Sequence, residues 1–247
     1  GPVHYARIYD TVVDVCKQSE ARRGACAAYL PIEHDDIEEF LDIGTEGNPI
    51  QNLQYGVTVT SAWLEHMRSG DKAKRKIWAK VIQRRSEFGY PYIMFKDNSN
   101  NNSPYKELGM DINASNLCSE IQLPTDTYNS FVCCLGSINL LHWDEIIKTD
   151  AIETYVFFLN AVMDEFIKKA EVKPGLSRAF NFAKNHRAIG LGVLGYHSLL
   201  QSKLIEFESL TAKGLNNNIF KTLKQLSDEA SRWLHTHRGY KSLRDGY

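Results

Sequence analysis

Apolar residues at Ile8, Val12, Val13 and Val15 recur at near-helical spacing and predict a helix over residues 5–20, followed by a basic turn at 21–24. Residues 25–30 form a short apolar run of small side chains that reads as a buried strand, open to close approach by another backbone or a ligand. Residues 34–41 predict an acidic helix start with an apolar face at Ile37, Phe40 and Leu41, its charges forming a solvated face. A turn at 44–49, an alternating strand at 55–60 and a helix at 61–68 follow. Residues 73–88 carry Ile77, Trp78, Val81 and Ile82 among many Lys and Arg, the pattern of an amphipathic helix with a basic outer face that Gly89 ends. A strand at 90–95 comes next.

The polar stretch 96–104, with Asn98, Asn100, Asn101 and Asn102, reads as a surface loop. Two short apolar segments, 116–121 and 131–140, read as strand or strand-edge elements on either side of the turn-rich Pro124-Thr125-Asp126. A helix over 150–171 buries Val156, Phe157, Leu159, Val162, Met163 and Phe166, and an amphipathic helix over 218–236 closes near Gly239. Between them, residues 188–195 are glycine-rich, yet they lack both the G-x-G-x-x-G spacing and a following Lys-Ser/Thr pair. They read as a closely packed segment and not as a phosphate loop. Strands and helices alternate without a repeat, which predicts an α/β architecture.

The 247 residues suffice for a substantial core, and 29 basic against 30 acidic residues leave a net charge of -1. That balance, with no aromatic residues interleaved on the basic helix face, argues against nucleic-acid binding and against an anionic membrane surface. No apolar run is long enough for a membrane span and no secretory signal opens the chain, so a cytoplasmic setting is expected. Cys16, Cys26, Cys118, Cys133 and Cys134 are odd in number and lack CxxC or Cys/His spacing, which argues against a metal site and a disulfide framework. Buried apolar thiols or redox-catalytic ones remain.

One segment concentrates chemistry. Asn116-Leu117-Cys118-Ser119-Glu120 offers an amide, a thiol and a carboxylate at alternate positions, which share one face if the segment is extended. The amide can fix a hydroxyl, the thiol can give or take a hydrogen atom, and the carboxylate can accept a proton. Cys133-Cys134 lies downstream in a second strand-like segment that extended pairing would bring alongside.

Residues 115–121, Ser-Asn-Leu-Cys-Ser-Glu-Ile, resemble the active-site loop of class I ribonucleotide reductase large subunits, closest to the class Ib branch. Four further blocks are similar to that family in the same order: 22–30 (R-R-G-A-C-A-A-Y-L), 88–95 (F-G-Y-P-Y-I-M-F), 133–140 (C-C-L-G-S-I-N-L) and 186–192 (H-R-A-I-G-L-G). The resemblance implies part of a ten-stranded α/β barrel, the whole chain being a single fragment of that catalytic domain without the N-terminal cone domain or the C-terminal part.

It further implies that Cys118 is the thiyl radical taking the 3′-hydrogen of a ribonucleoside diphosphate. Glu120 accepts the 3′-hydroxyl proton, Asn116 and Leu117 contact substrate, and Gly24 and Ala25 supply backbone near it. Cys133 matches one member of the redox pair, whereas Cys134 falls where the family has another residue and reads as a spare thiol. Cys16, in the first helix, reads as structural. No metal or cofactor is expected to bind directly. The radical would come from the dimetal cofactor of a small (beta) subunit, electrons from thioredoxin or glutaredoxin, and the second redox cysteine and phosphate site from other alpha-subunit fragments. A nucleotide effector is also implied, but only residues 68–72 stand where the family has a long segment between Met67 and Ala73, so effector control is expected to be impaired or lost. The isolated chain is therefore expected to be inactive. The competing expectation is a non-catalytic fragment that serves a complete reductase as a structural or regulatory partner.

Overall fold

In the computed structural model, which describes residues 1–16 and 23–240, the first helix turns its long apolar residues outward. Helix α1 (Pro2–Val15) buries Val3, Ala6, Asp10 and Val13, while Ile8, Val12 and Val15 are 59%, 50% and 73% exposed. The expected helix is present, but of its four pattern residues only Val13 is buried, and Asp10 gives the reason. Its Oδ1 accepts from the backbone N–H groups of Gln51, Asn52 and Leu53 at 3.1, 2.6 and 3.0 Å, and its Oδ2 from Asn52 Nδ2 at 3.1 Å. A carboxylate is tolerated inside only when its oxygens are satisfied in this way. The predicted continuation of the helix through residue 20 and the start of the basic turn lie outside the described residues.

Two compact units make up the chain, Gly1–Thr125 and Asp126–Tyr247. In the first, β1 (Ala27–Pro31), β2 (Gln54–Val59) and β3 (Tyr92–Phe95) form a parallel sheet in that order. Strand β2 is buried from Tyr55 through Val59, so its alternation in sequence does not mark one wet face. It is the central strand of a parallel sheet, covered on both sides. Ile32, Ile37, Phe40, Leu41, Ile43, Ile50, Val57, Trp63 and Val81 pack into one core around it.

The short helix α2 (Ile37–Phe40) and helix α3 (Ser61–Arg68) fall where the pattern predicts them. The Thr60 hydroxyl accepts from Trp63 N–H to cap α3. Helix α4 (Lys72–Phe88) is capped by Asp71, whose Oδ1 accepts from Ala73 and Lys74, and ends at Gly89 with φ 77°. The turn between α3 and α4 is held by Ser69 N–H to Glu65 O, Gly70 N–H to Met67 O and Asp71 N–H to His66 O. The Arg75 guanidinium adds bonds to the Met67 and Arg68 carbonyls. The basic face of α4 is paired: Lys80 and Arg84 bridge to Asp42, Lys76 to Glu38 and Arg84 to Glu87.

Residues 96–101, expected as loop, form helix α5 (Lys96–Asn101). Tertiary bonds override the poor helix propensity of asparagine: Asp97 accepts from Ser61 N–H at 2.7 Å, and the Asn100 amide bonds both N–H and C=O of Ile112.

In the second unit, β4 (Leu135–Asn139) and β5 (Gly190–Leu194) pair in parallel with Leu135 opposite Gly190. Between them run α6 (Trp143–Ile146), α7 (Ala151–Ala170) and α8 (Ser177–His186). After them come α9 (Tyr196–Ser202) and α10 (Leu210–Arg238), of which α10 starts eight residues before the expected position. Helices α6, α8 and α9 are not anticipated by the pattern. The glycine-rich stretch is strand β5, and a side chain at Gly190 would run into Leu135, which bears out close packing. Ile138, Leu140, Trp143, Ile152, Leu199, Ile219 and Leu223 form this unit's main core. Every strand pairing among the described residues is parallel, in line with the α/β expectation.

Candidate active site

The residues that carry the sequence argument sit on a turn and not on a strand. Ser119 N–H donates to Asn116 O at 3.2 Å, closing a reverse turn over Leu117 and Cys118. Asn116 N–H donates to Ile121 O at 3.1 Å, and Asn116 Oδ1 accepts from Ile121 N–H at 2.9 Å. Ser119 takes φ 70°, a left-handed conformation that costs a non-glycine residue roughly 1–2 kcal/mol. The expectation of an extended segment with residues 116, 118 and 120 on one face is therefore corrected. The side-chain bond from Asn116 competes successfully with strand pairing, as asparagine does in tight turns. Cys118 and Glu120 are exposed at this turn, and Leu117 is half-buried. With its Oδ1 engaged, Asn116 keeps Nδ2 to donate elsewhere.

The base of this segment is braced by α5 through Asn100 and Ile112, and by Lys96 Nζ donating to Asn113 Oδ1. Its upper part rests on the sheet. Tyr29 on β1 pairs in register with Gly56 on β2, and Gly56 with Tyr92 on β3, so two phenols flank a glycine in one row. The Tyr29 hydroxyl meets Ser115 Oγ at 2.5 Å. Burial, then the hydrogen bond and charge of Tyr90, then Tyr29 and Cys118, push the Tyr92 phenol up to about 12. Tyr90 and Tyr92 stack edge-on with centroids 5.2 Å apart. Three phenols thus gather at the sheet beside this segment, with Cys118 near enough to act on Tyr92.

Gly24 and Ala25 lie between α1 and β1. A Cβ at Gly24 would stand 2.7 Å from Val13 O and 2.8 Å from Cys16 O, so glycine is required there for the strand to enter against the end of α1. Cys133 belongs to the second unit, exposed in the irregular segment before β4. Residues 131–134 are not strand, and the Cys118 segment offers no strand for them to pair with. The notion of two adjacent strands bearing the two thiols is therefore corrected. Cys134 is half-buried, donates to Leu159 O at 3.6 Å, and has its thiol raised by burial and then by Cys133. Cys16 and Cys118 are exposed and Cys26 is half-buried, so none of the five thiols is a fully buried apolar filler.

The pattern alone does not reveal Tyr29, Tyr92, Ser115 or Asn100. The available signal is Gly56, a glycine in the interior of a strand, which marks close approach by a neighbour. Among the described residues no group of three or more His, Cys, Asp or Glu side chains is placed to hold a metal ion, and no helix is long and apolar enough to cross a membrane.

An α/β chain of parallel strands with a thiol-bearing turn braced against one sheet defines the class. Within it, the family model described as "Ribonucleotide reductase, barrel domain" matches residues 1–75 and 69–243, two stretches that overlap at the turn joining α3 to α4. The chain belongs to the ribonucleotide reductase barrel-domain family. The Actinobacillus ureae class Id ribonucleotide reductase alpha subunit is 48% identical and superposes with a TM-score of 0.91, covering 100% of this chain and 47% of that one. The ribonucleoside-diphosphate reductase large subunit of Invertebrate iridescent virus 3 is 31% identical over 97% of this chain and 50% of its own length. The vitamin B12-dependent ribonucleoside-diphosphate reductase of Thermoplasma acidophilum is 29% identical over 97% of this chain and 33% of its own. The chain spans about half the length of the first curated relatives it matches.

Proposed function

We propose that residues 1–247 are one central fragment of the catalytic barrel of a ribonucleoside-diphosphate reductase. The observation that supports this reading is the turn at 116–119, which leaves the Cys118 thiol and the neighbouring Glu120 exposed and engages Asn116 through Oδ1 and not Nδ2, in a chain of this family. A thiyl radical on Cys118 takes the 3′-hydrogen of the ribose, forming S–H as C3′–H breaks. Glu120 accepts the 3′-hydroxyl proton, and Asn116 Nδ2 orients the substrate hydroxyls. The 2′-hydroxyl leaves as water, and two thiols supply the two electrons as they close to a disulfide, with Cys133 as one of them. Cys118 then returns its hydrogen to C3′, and the radical is restored. Gly24, Ala25 and Leu117 line the substrate.

The second redox thiol and the diphosphate site come from other alpha-subunit segments, the disulfide is reduced by thioredoxin or glutaredoxin, and a reducing cytoplasm suits five cysteines that form no disulfide. The radical is delivered by a small subunit carrying a dimetal cofactor. Similarity to vitamin B12-dependent relatives favours one second reading, an adenosylcobalamin radical source, which the same assay separates. The test is reduction of nucleoside diphosphates by the chain together with complementary alpha segments, a dithiol reductant and either radical source. Turnover is expected only with the complete set and the small subunit, and is expected to vanish with Cys118→Ser. Turnover by the chain alone, or turnover surviving the serine, refutes the reading.

A further inference from the structure

We infer that Tyr29 is a positioning residue for Cys118, acting through a chain of hydrogen bonds that runs from its phenol through the Ser115 hydroxyl to the carbonyl closing the thiol-bearing turn. The inference rests on the reading of Cys118 as the reacting thiol.

The direction of the chain follows from hydroxyl chemistry. Ser115 Oγ donates its single proton to Asn116 O at 3.1 Å, so toward Tyr29 it can only accept. The phenol therefore donates to Ser115, 86 positions away in sequence, and Ser115 donates to Asn116 O. That carbonyl also accepts the Ser119 N–H that closes the turn. Two donors thus converge on its two lone pairs, one from the turn and one relayed from β1. Because Ser119 holds an unfavourable left-handed backbone, the turn depends on such outside bonds to keep Cys118 in place.

The sheet is built to allow this reach. Tyr29 stands in register with Gly56, and a Cβ at Gly56 would run into the Tyr29 ring at Cε1, Cζ and Cδ1. Any larger residue at position 56 must push the ring aside and break the bond to Ser115. A role in packing alone would need only the ring. The geometry engages the hydroxyl.

The experiment uses Tyr29→Phe, Ser115→Ala, the double variant, Ser115→Thr and Gly56→Ala, in the reconstituted reductase described above and in the 247-residue chain by hydrogen exchange. Misplacing a reacting group by a fraction of an ångström is expected to lower kcat about tenfold in Tyr29→Phe and in Ser115→Ala, with KM held within about twofold. The double variant should be no worse than either single one, because both break one chain, and Ser115→Thr should restore activity. Gly56→Ala should mimic Tyr29→Phe. Exchange of amides in residues 114–122 should quicken about fivefold in the phenylalanine variant, while exchange in α7 stays unchanged. Additive losses, a threonine as poor as the alanine, or unaltered exchange at 114–122 would overturn the inference. Because exchange needs no turnover, the two readings separate. A wild-type assembly without activity but with the exchange coupling removes the reductase reading, and with it the role in the reaction, and leaves only the bracing of the turn by Tyr29. An active assembly indifferent to Tyr29→Phe removes the positioning role alone.

Discussion

Replacing Asp10 by alanine should loosen the first unit more than any surface change would. The carboxylate is 7% exposed and accepts three backbone N–H groups. Of these, only the Leu53 N–H lies in a fully buried bond, while Gln51 and Asn52 are exposed residues whose amides can turn to water. Orphaning one buried donor costs about 1–3 kcal/mol, and two wetter ones add about 0.5 kcal/mol each, so the sum is about 3 kcal/mol. That corresponds to roughly a hundredfold faster exchange of the ladder amides linking β1 and β2, such as those near Leu30 and Val57, when measured by native-state hydrogen exchange. Asp10→Asn keeps the Oδ1 acceptor and loses only charge assistance and the bond at Oδ2, so about 1 kcal/mol is expected. If Asp10→Ala leaves the ladder amides within twofold of wild type, then water replaces the carboxylate without penalty. The account of why α1 faces inward along Asp10 would then be wrong.

Three further outcomes follow from the titrating groups. Burial above all pushes Tyr55, Tyr92 and Tyr105 up to about 12. The neutral phenols therefore support the fold fully below their unfolded value near 10, and that support is lost as pH climbs from there toward about 12. Ultraviolet phenolate titration should show these three tyrosines ionising late, together with Tyr240, which its hydrogen bond to Asp164 also raises, with one fewer in Tyr92→Phe; uniform ionisation near the ordinary value would contradict the burial argument. Burial also raises the Cys134 thiol, so site-resolved alkylation at mildly alkaline pH should label exposed Cys133 first, and a faster Cys134 would reverse the assignment. Burial pulls the Asp42 carboxyl upward, but hydrogen bonds and charges from Arg84 and Lys80 outweigh it and hold it below the usual carboxylate range. Its contribution is present above the unfolded value near 3.9 and lost as pH falls through the lower folded one, so Asp42→Asn should unfold at a slightly higher pH on acid titration. With the side chain 39% exposed, the effect should stay below about 1 kcal/mol.

Local chemistry was legible wherever a residue decides its own backbone. Gly89 stops α4 and α3 spans the predicted residues, whereas the Thr60 and Asp71 caps were not anticipated. The α/β class followed from strands alternating with helices, whereas the grouping of an amide, a thiol and a carboxylate at 116, 118 and 120 rested on an extended backbone that this segment does not adopt. Tertiary structure decided what depends on a distant partner. Asp10 and not Ile8 faces inward because three amides of residues 51–53 await a carboxylate. The asparagine-rich stretch becomes α5 because Asp97 and Asn100 bond groups elsewhere in the unit. Alternation at 116–120 mimics a strand, yet the Asn116 side chain folds it into a turn, and a tyrosine 86 residues away holds that turn through Ser115. Side-chain period reports what a segment favours by itself, whereas a turn braced by long-range hydrogen bonds leaves no period to read.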